Sequence, residues 1–66
     1  MLPPPSPPPD RAVLDALLAQ GLAHHQAGRF GDAEKTYRDV LAQAPHYPAA
    51  QHLLGVALYQ QGRAAD

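Results

Sequence analysis

Sixty-six residues with five Lys and Arg, six Asp and Glu and no cysteine exclude a disulfide framework and a thiolate metal site. They also exclude a charge field strong enough to gather nucleic acid or an anionic membrane, and the core of an ordinary-sized domain. No apolar run approaches the roughly 20 residues that cross a bilayer.

Neither nucleic acid nor a membrane is therefore an expected partner. The N-terminus lacks the basic start and apolar middle of a secretion signal, so the expected location is cytoplasmic. Residues 3–9 read PPPSPPP, a run that cannot be helical and favours extended polyproline II. Residues 1–9 are thus expected to form a disordered or polyproline II tail. Its P-x-x-P match at Pro5-Ser6-Pro7-Pro8 is one that any such run contains.

Asp10 follows the last proline and is placed to cap a helix over about 11–27, whose apolar stripe is Leu14, Leu17, Leu18, Gly21 and Leu22. Gly21 falls inside that helix, where glycine costs about 1 kcal/mol relative to alanine. The cost implies close approach of a neighbouring helix. Gly28 supplies the left-handed residue that stops the helix, with Arg29, Phe30 and Gly31 as the turn. A second helix over about 31–43 faces inward with Ala33, Tyr37, Val40 and Leu41, and Pro45 closes it. Pro48 then opens a third helix over about 48–61, which carries Leu53, Leu54, Val56, Ala57 and Leu58 and ends at Gly62.

These elements repeat. Shifting the chain by 34 residues lays Ala16 on Ala50, Gly21 on Gly55, Ala23 on Ala57, Gln26 on Gln60, Gly28 on Gly62, Arg29 on Arg63 and Asp32 on Asp66. Leu17, Gln20, Gly21, His24, Ala33, Tyr37 and Pro45 follow the spacing W-x-x-L-G-x-x-Y, A-x-x-x-F, P, and Gln51, Leu54, Gly55 and Leu58 begin it again. The stretch from about 14 to 66 thus resembles a tetratricopeptide repeat, about one and a half copies of it. Gln20 replaces an expected leucine, His24 a tyrosine, and Leu17 and Gln51 the tryptophan. The expected fold is all-α: residues 10–66 form an antiparallel helical hairpin and then the first helix of the next repeat.

What the resemblance implies is an interaction scaffold without cofactor, binding a protein or peptide, and no enzyme. In such arrays the first helix of each repeat lines a concave groove. Here that face would show Asp15, Leu18, Leu22, His25 and Gln26, then Ala49, His52, Val56, Tyr59 and Gln60. Chaperone-binding members clamp a C-terminal carboxylate with lysine and asparagine at the positions held here by Leu18 and Leu22. Leucine cannot do so, and an apolar or mixed segment is the better ligand. The competing reading packs Leu18 and Leu22 against the third helix.

A second functional reading is an N-terminal assembly or targeting segment of a larger enzyme, since the repeat style is similar to that preceding bacterial O-linked N-acetylglucosamine transferase domains. A homo-oligomer through the exposed third helix is also expected, because Leu53, Leu54 and Leu58 await a cover. Four histidines invite a metal, but His24 and His25 are adjacent, and neighbours on a helix diverge by about 100° whereas a metal pair needs positions i and i+3 or i+4. Neither a nucleophile elbow nor a phosphate-binding glycine loop is present.

Overall fold

The computed structural model describes residues 2–3 and 10–62. Most of the proline tail, including its P-x-x-P match, lies outside the described residues, as do Arg63 and Asp66. Three helices follow one another: α1 (Arg11–Gln26), α2 (Phe30–Gln43) and α3 (Pro48–Gln60).

Local chemistry sets their ends. Asp10 has extended backbone, and its Oδ1 accepts the Ala12 amide at 2.9 Å, satisfying one free donor of the first turn. At the other end Gly28 adopts φ 79°, its N–H donates to the His25 carbonyl at 3.0 Å, and the Arg29 N–H donates to that of His24 at 2.8 Å. This pair of bonds is the Schellman closure that glycine permits. Phe30 and Gly31, expected in the turn, instead form the first helical residues of α2. The turn is shorter because the Schellman bonds already reverse the chain at Arg29. Pro45 forces Ala44 into extended backbone and ends α2, and Pro48 occupies the first turn of α3, where no amide donor is needed.

The core is two small clusters that share one residue. Leu14, Val40 and Ala50 form the first, with Leu17, Leu18, Leu41, Ala44 and Tyr47 packed against it. Ala33, Tyr37 and Ala57 form the second, flanked by Leu18, Leu53 and Leu54. Each cluster draws on both α2 and α3, and Leu18 brings α1 into both. α2 packs against both other helices. Small residues make this possible: Ala33, Ala50 and Ala57 are all fully buried. Gly21 is buried beneath Tyr37, and a methyl added there would lie 2.8 Å from Tyr37 Cδ1, inside any real contact distance.

Candidate functional site

No enclosed pocket exists among the described residues, nor do three or more His, Asp or Glu side chains gather there in a metal-binding arrangement. The ten residues expected to form a groove face separate by burial into distinct groups.

Leu18 is half-buried and packs against both clusters. It joins the three helices, which is the packing role weighed against a groove role for it. Leu22 behaves differently, remaining 37% exposed. His25 is also half-buried, its ring edge-on to Phe30 with centroids 5.1 Å apart, and its Nδ1 is covered without a hydrogen-bond partner. That ring braces the α1–α2 turn. Gln26, Ala49, His52 and Gln60 are exposed, Val56 is half-buried, and Tyr59 is 68% exposed.

Asp15 is exposed but engaged. Its Oδ1 accepts the Tyr47 hydroxyl at 2.6 Å, and its other oxygen lies 3.9 Å from Arg11 Nε. The hydrogen bond to this carboxylate, followed by partial desolvation, raises the Tyr47 hydroxyl above its ordinary titration range. Tyr47 is not among the ten residues expected on the groove face. Its place before Pro48 confines it to extended backbone, observed at φ −98° and ψ 98°. From there its side chain reaches back to α1.

A second unforeseen contact involves Gln61, whose Nε2 donates to Glu34 Oε1 at 2.9 Å and to the Ala57 carbonyl at 3.2 Å. Glu34 also accepts from Arg38 Nε at 2.9 Å, one turn along α2. Together these contacts hold the end of α3 to α2. Leu53 and Leu54, expected to await a cover, are instead half-buried against the second cluster. The part of α3 left open carries Ala49, Gln51, His52, Gly55, Tyr59 and Gln60.

The helical register therefore reproduces itself after 34 residues: Gly62 takes φ 77° where Gly28 has 79°, and its N–H donates to Tyr59 as that of Gly28 does to His25. A family model described as tetratricopeptide repeat matches residues 24–66. No curated protein and no solved structure matched the chain in parallel comparisons. With 43 of its 66 residues inside that match, and its helices, turns and small crossing residues arranged in the same period, the chain belongs to the tetratricopeptide repeat family.

Proposed function

We propose that this chain holds an extended apolar or mixed peptide on the face built by Leu22, Gln26 and the Asp15 edge of α1 with Ala49, His52, Val56, Tyr59 and Gln60 of α3. Repeats of this family generally mediate protein–protein interaction and are typically non-catalytic scaffolds. In this reading Leu18 and His25 support the face from beneath rather than touch the ligand. The observation that supports it is that two large side chains, Tyr59 and Leu22, keep 68% and 37% of their surface exposed. A net charge of −1 and helix α3 without a single Asp, Glu, Lys or Arg suit a protein partner rather than a polyanion. No helix among the described residues is long and apolar enough to cross a membrane, and a cytoplasmic setting belongs to the same proposal.

Peptides selected by display against the full chain provide the probe. Leu22→Lys should weaken the selected peptide about tenfold or more, roughly 1.4 kcal/mol, while thermal melting and helicity stay unchanged. Loss of fold and binding together would place Leu22 in the core and sink the proposal, as would unchanged affinity.

A further inference from the structure

A binding face shared by two helices is only as well shaped as the spacing between them. α1 and α3 both pack against α2, so that spacing passes through a third helix unless something joins the pair directly. Leu18 does so by packing against both clusters, but apolar contact has no preferred direction. A hydrogen bond has one, since it weakens steeply when stretched or bent.

The Tyr47 hydroxyl donates to Asp15 Oδ1 at 2.6 Å, within the short range of a bond to an ionised acceptor. No other side-chain hydrogen bond among the described residues runs between α1 and the α3 segment; at the far end Gln61 holds α3 to Glu34 of α2 instead. Both ends of the bond are anchored. Asp15 lies within α1, while Tyr47 has extended backbone at the entry to α3 and packs against the cluster of Leu14, Val40 and Ala50. Gln51 Nε2 donates to the Pro45 carbonyl at 2.8 Å, which ties the connecting segment to the first turn of α3. A displacement of the Tyr47 hydroxyl is thus a displacement of α3.

We infer that Tyr47 is the positioning residue of the proposed peptide face, a role that rests on that reading: its bond to Asp15 sets the spacing of α1 and α3, and with it the width of the surface between them. Asp15 serves the face by where it holds Tyr47, since one carboxylate oxygen takes the hydroxyl and the other lies near Arg11. Without the bond the two helices sample a range of spacings. The fraction of molecules fitted to the peptide falls, and apparent affinity falls in proportion.

The chain has no cysteine, so spin labels can be placed in pairs on engineered cysteines and their separations read by double electron–electron resonance with no peptide present. Ala19→Cys with Gly55→Cys reports α1 against α3, and Ala19→Cys with Asp39→Cys reports α1 against α2; all three sites are exposed and outside the face. Tyr47→Phe keeps the ring and removes the bond, so it should broaden the first distribution and leave the second as in the unsubstituted chain. Asp15→Leu should broaden the first equally, and Tyr47→Phe/Asp15→Leu no further, because both remove one interaction. Asp15→Asn, whose amide oxygen still accepts, should retain the narrow distribution. Arg11→Gln should retain it as well, since that side chain approaches Asp15 from within α1. The display-selected peptide should bind Tyr47→Phe about threefold more weakly or worse. An α1–α3 distribution unchanged by Tyr47→Phe overturns the inference, as does equal broadening of both pairs, which would mean general loosening, or broadening without loss of affinity. Leu22→Lys tests the peptide face with the bond intact, and the label separations test the bond without peptide, so either can fail without the other.

Discussion

Two glycines at the same register separate what the helix backbone prefers from what packing demands. Glycine inside a helix costs about 1 kcal/mol relative to alanine, so alanine is favoured at both positions by propensity alone. At Gly21 the added methyl collides with the Tyr37 ring, while at Gly55 it meets open space. Gly21→Ala should therefore destabilise the chain by about 1–3 kcal/mol through overpacking, and Gly55→Ala should stabilise it by about 1 kcal/mol. Opposite shifts in urea midpoint would confirm this, and shifts of the same sign would show that propensity rules both sites.

Tyr37 carries its own local cost. The ring is fully buried, yet its hydroxyl has no hydrogen-bond partner among the described residues. The repeat pattern has phenylalanine at this slot, so the oxygen is an addition to a hole shaped for a ring. Removing an unsatisfied buried group recovers about 1 kcal/mol or more. Tyr37→Phe should thus raise the melting temperature by about 4–8 °C. A lowered melting temperature would mean that the hydroxyl does find a partner.

At the scale of the helix, sequence identity does not mean identical surroundings. Ala23 and Ala57 are the same residue one repeat apart, but Ala57 is fully buried against α2 and Ala23 is exposed, because no helix among the described residues lies on that side of α1. Ala57→Leu should cost about 1–3 kcal/mol, whereas Ala23→Leu should change stability by less than about 0.5 kcal/mol. Equal effects in thermal melts would contradict this arrangement of neighbours.

This contrast also marks what the sequence made legible. The three helices, their period and the capping roles of Asp10, Gly28 and Pro48 were readable because each depends on chemistry within a few residues of itself. The inward set Ala33, Tyr37 and Val40 was readable from helical spacing. Legibility ended where a role depends on a neighbour distant in sequence. The spacing of Leu18 suits a groove as well as a core, and its packing against both clusters depends on neighbours distant in sequence. His25 had the correct spacing for the groove face, but the unforeseen inclusion of Phe30 in α2 brings that ring beside it. Leu53 and Leu54 pack against the cluster of Ala33, Tyr37 and Ala57, which spans two repeats and so does not show in the spacing of one helix. The proposed binding face was readable only as a list of positions, since spacing says which residues share a side and not which of them a tertiary contact consumes.

Across the molecule, the described residues form two small clusters rather than one core, and these hold together through residues that touch more than one helix. Tyr47 and Asp15, 32 positions apart, tie the entrance of α3 to the first turns of α1. Both tyrosines that join helices hold their protons more tightly than a free tyrosine: Tyr47 through its bond to Asp15, and Tyr37 through burial. A folded-state pKa above the unfolded value means that the folded chain binds the proton better. The stabilisation is therefore complete below the unfolded tyrosine pKa of about 10 and is lost as pH rises through the folded values. Helicity should hold through neutral pH and collapse cooperatively above about pH 10, with tyrosinate absorbance rising in the same transition. Tyr47→Phe loses the Asp15 bond, so it should melt below the wild type at neutral pH but show a shallower alkaline loss. The double variant Tyr37→Phe/Tyr47→Phe should keep its helicity to a higher pH than either single variant. Circular dichroism and tyrosine absorbance, followed together from neutral to alkaline pH, provide the check. An alkaline midpoint unmoved by the double substitution would show that the proton linkage lies in other groups, and that the clasp from Tyr47 to Asp15 does not couple the two ends of the fold.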